Sequence, residues 1–419
     1  MLDLKFIRAN VELVRAAIQN KNEKADLDAL LALDEQRRKL QFDFDQLKAS
    51  QNQVSQEIAQ KKRNKEDASE LINQMGSVSE QLKQISAELS ETEKQLEAIL
   101  MWIPNVPHPS VPIGKAESQN KYVREWGKKT DFDFTPKDHL EVASDNNLLD
   151  MQRGAKVTGS GFPVYTGFGA ALERALINFM LSFHIQKNGY EEVAVPFIVN
   201  RKTMTGTGQL PKLENDMYRI EEEDYFLIPT AEVPITNLYA DEILPLNKLP
   251  MKFVGYTPCF RREAGSYGKE TKGLQRVHQF NKVEMVRFVH PDDSYAVLEE
   301  MVANAEAILQ ALGLHYRVIE LCTADLSFAS ARTYDLEVWA PGAGRYLEVS
   351  SVSNFEDFQA RRAGIRFRDA EGKVRFVHTL NGSGLATPRT MIAILETYQQ
   401  ADGTIAVPEA LKPWLDIKI

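Results

Sequence analysis

Apolar residues recur at alternating spacings of three and four through much of the first hundred positions. Leu30, Arg37, Phe44, Gln51 and Ile58 occupy one heptad position, and Leu33, Leu40, Leu47, Val54 and Lys61 the position three later. A second pair of seams runs through Met75, Leu82, Leu89 and Leu96 and through Leu71, Val78, Ile85, Thr92 and Ile99. Such spacing buries one stripe of a helix against a partner helix. Between the two runs lies Lys61-Lys62-Arg63-Asn64-Lys65-Glu66-Asp67, which has no apolar residue. The pattern predicts an antiparallel helical hairpin with a polar, basic turn, and about 35 residues per helix give an arm of roughly 50 Å. Arg37, Gln51 and Lys61 weaken the first seam, which suits an arm with one solvated side more than a self-contained zipper. A dimerising coiled coil has the same period, and the basic turn reads either as a solvated loop or as a grip for a phosphate backbone.

The pattern changes after residue 100. Residues 25–100 contain no Pro and only Gly76 as glycine, whereas Pro104, Pro107 and Pro109 come in quick succession. Pro104 forbids continuation of the second helix, and the later prolines favour an extended linker. The division predicted is a domain of residues 1–103 and a second of residues 104–419. In the second, residues 169–187, 294–312 and 390–400 read as helices. Residues 192–199, 253–263, 277–289 and 344–347 read as strands. Strands succeed one another without regular βαβ alternation, so the class expected is α+β with an antiparallel sheet.

Composition narrows this picture only modestly. Of 419 residues, 43% are hydrophobic and 26% charged, ordinary globular usage that excludes a wholly disordered chain. Lys plus Arg is 50 against 59 for Asp plus Glu, a net charge of −9. That total does not exclude a nucleic-acid partner, because residues 255–290 hold seven basic and three acidic side chains. Cys259 and Cys322 are the only cysteines and are too widely spaced for a zinc knuckle or disulfide framework, so a reducing cytoplasm is expected. The N-terminus lacks the basic-then-apolar order of a signal peptide, and no membrane span is expected.

Four segments carry candidate chemistry. In the first, 259–284, alternation along strands puts Arg261 and Glu263 on one face, and His278, Phe280, Lys282 and Glu284 on one face of the next strand. A hairpin of the two offers one ligand a guanidinium for phosphate oxygens, an aromatic ring for stacking and carboxylates for an amine. A solvent-facing hairpin of mixed charge is the plainer alternative. In the second, Thr230-Ala231-Glu232, Thr230 and Glu232 share a face if extended and suit a small substrate with an amine. In the third, Glu348-Val349-Ser350-Ser351, Glu348 is a plausible hard-cation ligand or a plain edge glutamate. In the fourth, residues 381–390, Thr387-Pro388 reads as an N-cap and first helical residue, with Arg389 in a first turn where an anion is favoured. GxGxxG, HExxH and a correctly spaced P-loop are all absent.

Order and spacing together resemble one family over essentially the whole chain: the bacterial-type seryl-tRNA synthetases, which are class II aminoacyl-tRNA synthetases. The hairpin is similar to that family's tRNA-binding arm. Gly189-Tyr190-Glu191-Glu192-Val193-Ala194-Val195-Pro196 resembles class II motif 1, 260–284 motif 2, and Leu385-Ala386-Thr387-Pro388-Arg389 motif 3, while Thr207-Gly208-Gln209-Leu210-Pro211-Lys212 and Thr230-Ala231-Glu232 resemble substrate-side signatures. The resemblance implies a seven-stranded type of antiparallel catalytic domain preceded by a long antiparallel coiled-coil arm, and a homodimer joined through motif 1.

It also implies ATP-dependent activation of serine and transfer to the 3′ end of tRNA(Ser), with or without tRNA(Sec). Arg261, Glu263 and Arg389 are then catalytic: Arg261 on the α-phosphate, Glu263 on the adenine amine, Arg389 toward the γ-phosphate. Phe280 stacks on the ring, and Arg262, Val277, Val349 and Ser350 complete the nucleotide set. Glu348 and Ser351 help to hold Mg²⁺. Thr230, Ala231, Glu232, Glu284 and Ser383 line the serine site, and Lys61, Lys62, Arg63, Lys65, Lys269 and Lys272 meet tRNA. Ala386 stands where the broader class has glycine. Zinc is not expected, since a zinc-dependent variant needs a cysteine ligand set that this chain lacks. Three rival readings are a paralogue charging a carrier protein, a catalytically silent RNA-binding homologue, and a coiled-coil scaffold protein.

Overall fold

A computed structural model of the chain describes residues 1–264 and 272–415. By compactness it divides into one unit of residues 2–19 and 23–103 and another made of residue 1, residues 20–22 and residues 104 onward.

In the first unit two long helices, α1 (Leu27–Arg63) and α2 (Ser69–Leu100), form the hairpin. Every position of the four heptad seams is buried or half-buried. The helices pair with each other within the chain: the Gln51 amide donates to Ser79 Oγ at 3.2 Å, and Val54, Val78, Leu82 and Leu96 are buried. Asp26 caps α1 through Ala29 N–H, and Asn64 and Lys65 make the turn, Lys65 with φ +59°. Near the base of α1, Asp34 is 2% exposed and accepts from Arg8 (2.7 Å), Arg37 (3.1 Å) and Arg38 (3.2 Å). Burial opposes its ionisation, but the Arg37 and Arg8 guanidiniums win and hold the carboxyl below its usual range.

The second unit is built on an eight-stranded sheet. Its strands are β1 (Lys121–Trp126), β2 (Glu191–Glu192), β3 (Met251–Phe260), β4 (Gln279–Val289), β5 (Tyr316–Glu320), β6 (Arg332–Ala340), β7 (Arg345–Asn354) and β8 (His378–Ala386). The spatial order is β1-β5-β6-β7-β8-β4-β3-β2. All neighbours are antiparallel except β2 with β3. The sheet therefore has one strand more than the family resemblance implies, with a single parallel pairing at one edge. The strand expected over 192–199 is divided: Val193 N–H makes a last bond to Val254 O, and Ile198–Asn200 joins a separate small sheet. Pro196, between them, has no N–H for a ladder.

Helices α3 (Gly167–Asn188), α4 (Ser294–Ala311) and α5 (Thr387–Thr397) pack on the sheet. Strand β4 is buried on both faces, and its alternation decides what each face receives. Val283, Met285 and Val289 join the helical core with Leu176, Met301 and Ile392. Val286 and Phe288 join a second cluster with Ile235, Phe253 and Phe367. Lys282 and Glu284 share the face of Val286 and Phe288 by the same two-residue period.

The Asp34 cluster yields a stability prediction. Asp34→Asn should lower the stability of the N-terminal unit by about 1–3 kcal/mol, since it removes the buried charge that the three guanidiniums share and turns an amide donor toward them. Because the folded pKa is depressed, the wild-type contribution is complete above the unfolded carboxylate value and is lost as pH falls through the folded one. Urea unfolding followed by helical circular dichroism would show this, and an unchanged midpoint at pH 7 would refute it.

Candidate active site

Two bulges shape the floor of the site. Between β6 and β7 the register runs from Leu336 opposite Ser350 to Glu337 opposite Glu348, leaving Val349 as an extra residue. Glu348 and Ser351 are three apart and would face opposite ways in a regular strand, but the bulge turns both to one side. Between β8 and β4, Ser383 pairs with Glu284 and Ala386 with Lys282, so Gly384 and Leu385 hold a second irregularity. Gly384 permits a close approach there: a Cβ would lie 2.4 Å from His184 Nε2, which sits 2.9 Å from Gly384 O. Burial lowers the His184 pKa to about 4, keeping the ring neutral against that carbonyl.

These strands line a cavity of about 660 Å³ together with residues 207–209, 216–217, 229, 230, 232 and 274–277 and the start of α5. At one end lies an acid-rich pocket. Lys282 Nζ is 2.6 Å from Glu284 and donates to Thr230 Oγ1 at 2.9 Å. Gln359 donates to Glu232 Oε1 at 2.6 Å and to Thr207 O at 3.1 Å, and Thr379 Oγ1 fixes the Gln359 carbonyl at 2.8 Å. Burial, then the nearby Glu284 charge, pushes the Glu232 carboxyl up to about 7. Thr230 and Glu232 are not extended: Glu232 opens a short helix, Glu232–Asn237, and its N–H bonds Thr230 Oγ1 at 3.2 Å.

At the other end cationic groups converge. Arg261 lies with Cζ 5.1 Å from the Phe280 ring centroid and donates to Pro229 O at 3.3 Å. Glu263 sits past the end of β3 with φ +51° and pairs with Arg276 at 2.6 Å, so it and Arg261 meet the cavity from a turn rather than from one strand face. Arg389 is clamped by Gln275 O (3.1 Å), Glu348 O (2.9 Å) and the Glu348 carboxylate (3.3 Å). It stands in the first turn of α5, whose N-cap is Ala386 and not the expected Thr387, because Thr387 is already the first helical residue and its hydroxyl donates to Glu173 and Asn281 O instead.

The cavity thus gathers Thr230, Glu232, Arg261, Glu263, Val277, Phe280, Glu284, Glu348, Val349, Ser351, Ser383 and Arg389. Three expected members do not line it. Ala231 is fully buried in the apolar cluster of Ile235. Ser350 is buried and donates to Ser383 O at 2.6 Å, supporting the floor from within the sheet. Arg262 anchors its backbone N–H on Asp216 O at 2.8 Å. Of the basic residues expected at tRNA, Lys61, Lys62 and Arg63 form the last turn of α1, Lys65 the hairpin turn, and Lys272 is exposed on the loop after β3. Lys269 lies outside the described residues.

Residues not assigned from sequence also contribute. Arg276 lay in the basic stretch and Lys282 on the predicted face, so both carried a signal. Gln359 comes from a distant helix with none. Asp335 is another such residue. It is buried opposite Ser351, whose hydroxyl it accepts from, and its Oδ1 has no partner. Burial, then Glu348, raises its carboxyl well above the ordinary range. Asp335, Glu348 and Ser351 are hard oxygen donors, and an unsatisfied buried carboxylate oxygen beside an open cavity fits a small divalent cation. Among the described residues no three His, Cys, Asp or Glu are grouped so as to hold a metal ion.

Comparison with known proteins places these features. Residues 1–107 match the family described as the seryl-tRNA synthetase N-terminal domain, and residues 213–398 the tRNA synthetase class II core domain (G, H, P, S and T). The serine--tRNA ligase of Geotalea uraniireducens is 53% identical over 99% of this chain and 98% of its own length. That of Caldanaerobacter subterraneus is 54% identical over 100% and 99%. The crystal structure of seryl-tRNA synthetase from Pyrococcus horikoshii complexed with ATP superposes with a TM-score of 0.94 at 37% identity, covering 100% of this chain and 99% of that one. With its hairpin, antiparallel sheet and motif-bearing cavity, the chain belongs to the seryl-tRNA synthetase family, built on the class II core.

Proposed function

We propose that this chain is an ATP-dependent serine--tRNA ligase: it activates L-serine as the adenylate and passes the seryl group to the 3′ end of tRNA(Ser). One observation carries the reading. A single cavity sets a buried acidic pocket, Glu232 and Glu284, beside a cationic end, Arg261, Arg276 and Arg389. That juxtaposition suits a small ammonium compound reacting with a polyphosphate. The relatives are serine--tRNA ligases over their full length, which leaves the carrier-protein, silent-homologue and scaffold readings without support.

In this reading Glu232 and Glu284 receive the serine ammonium. Thr230 and Ser383 offer hydrogen-bonding groups to its hydroxyl. Alanine would leave those groups unpaired, whereas threonine would have to be excluded through its extra methyl. The serine carboxylate attacks the α-phosphorus, the bond to the bridging oxygen breaks, and pyrophosphate leaves. Arg261 and Arg389 supply fixed positive charge where negative charge builds. Arg389 is already held by two carbonyls, so little reorganisation is needed there. Phe280 offers its ring to the adenine, and Glu263, held by Arg276, an acceptor for the adenine amine. In the second step a ribose hydroxyl of the tRNA end attacks the acyl carbonyl and AMP leaves. Glu348 and Ser351, with Asp335 behind them, would hold Mg²⁺, which supplies further neutralisation of phosphate charge. No side-chain nucleophile is required.

The basic turn of the hairpin suits the tRNA backbone. Phe197 and Ile198, exposed just beyond Pro196, are apolar surface of the kind a second subunit covers, in keeping with a homodimer. No helix among the described residues is long and apolar enough to cross a membrane. Both cysteines are free, which accords with a cytoplasmic setting.

Three measurements test this reading. Arg261→Ala should cut serine-dependent pyrophosphate exchange by about 10²–10³-fold while leaving the dimer intact, and near-normal exchange would remove Arg261 from its role. Deleting residues 27–100 should spare exchange yet cripple charging of tRNA; retained charging would show that the hairpin is not the tRNA reader. Because Glu232 titrates near 7 and the bound ammonium needs its ionised form, the KM for serine should rise several-fold from about pH 8 to about pH 6. Glu232→Gln should flatten that dependence, and a flat wild-type profile would exclude the assignment.

A further inference from the structure

Beneath the cationic end of the cavity, the backbone that returns from the loop after β3 rests on a buried histidine. Leu274 is fully buried, and its N–H donates to His139 Nε2 at 3.2 Å. A ring nitrogen that accepts from an N–H carries no proton, so the proton of His139 is on Nδ1. Nδ1 faces Glu396 Oε1 at 3.4 Å without forming a hydrogen bond, and the two side chains are 2% and 0% exposed. Glu396 is itself fixed by three backbone donors: His139 N–H at 2.9 Å, Gly342 N–H at 2.9 Å and Ala343 N–H at 3.0 Å. The loop backbone lies directly against the imidazole. Gly273 has φ +60°, and a Cβ there would come within 2.3 Å of His139 Nε2.

The residues immediately C-terminal to this contact belong to the nucleotide end of the cavity. Gln275 O accepts from Arg389, the Gln275 side-chain carbonyl accepts from Arg345, and Arg276 pairs with Glu263. We infer that His139, held through its backbone N–H by Glu396, is a positioning residue for nucleotide binding: it fixes the backbone at Leu274 and so sets Gln275 and Arg276 against Arg389 and Glu263. The inference rests on the reading of this cavity as the ATP and serine site, and it adds a residue that touches neither ligand. The serine pocket hangs on other elements, on Gln359, Lys282 and Thr230, so loss of the anchor acts on one substrate and not on both.

The test is titration calorimetry of the full-length protein with ATP and, separately, with serine, alongside pyrophosphate exchange. His139→Leu leaves the buried Leu274 N–H without an acceptor and should weaken ATP about tenfold, with serine affinity changed by less than about twofold. His139→Gln, whose amide oxygen can accept the same N–H, should recover most of the loss. Gly273→Ala, a loop substitution that drives a methyl toward the imidazole, should weaken ATP in the same direction and decides the matter if His139→Leu does not fold. Unchanged ATP affinity in His139→Leu or in Gly273→Ala overturns the inference. So does an equal loss for both substrates, or no recovery with glutamine. A wild-type protein that binds ATP but shows no serine-dependent exchange would sink the proposed activity and not the anchor, which the ATP titrations still test.

Discussion

A strand buried on both faces must send its polar residues to one side and find partners for them there. Strand β4 obeys this. One face gives Val283, Met285 and Val289 to the helical core, and the other carries Phe280, Lys282 and Glu284 into the cavity before closing with Val286 and Phe288. Lys282 and Glu284 lie two apart on a desolvated face and neutralise each other at 2.6 Å. Removing one member of such a pair typically costs roughly 3–5 kcal/mol, because the other charge stays buried. Glu232 is bonded instead by the neutral Gln359 amide, so it is the carboxyl that burial pushes toward neutrality. The acid-rich pocket is therefore prepared for a cation brought by a ligand.

Departures from a regular pleat do the rest. Without the bulge at Val349, Glu348 and Ser351 would point to opposite sides of the sheet. Without the irregularity at Gly384 and Leu385, Ser383 and Ala386 would not both reach the cavity. Irregularity of this kind clusters where a sheet must present more groups than its period allows. The same economy holds Arg389, which is fixed by carbonyls of β7 and of the loop before β4 and not by packing alone. A guanidinium held this way keeps its charge directed into the cavity before any ligand arrives.

Local period and chain stiffness were enough to read the hairpin and its basic turn, the α+β class and the face shared by Phe280, Lys282 and Glu284. Heptads, prolines and two-residue alternation each act within a few residues, so the sequence itself determines them. The division of the 192–199 strand also has a local cause in Pro196, although the length of the surviving pieces depends on what β3 offers as a partner. Whether the heptad seams would close within the chain or between chains was decided by tertiary structure, through contacts such as Gln51 with Ser79. So were the eighth strand of the sheet, the exclusion of Ala231, Ser350 and Arg262 from the cavity lining, and the arrival of Gln359, Asp335 and the His139–Glu396 pair. These groups come from strands and helices far apart in the chain. Their meeting depends on register, bulges and burial, which no short stretch of sequence encodes.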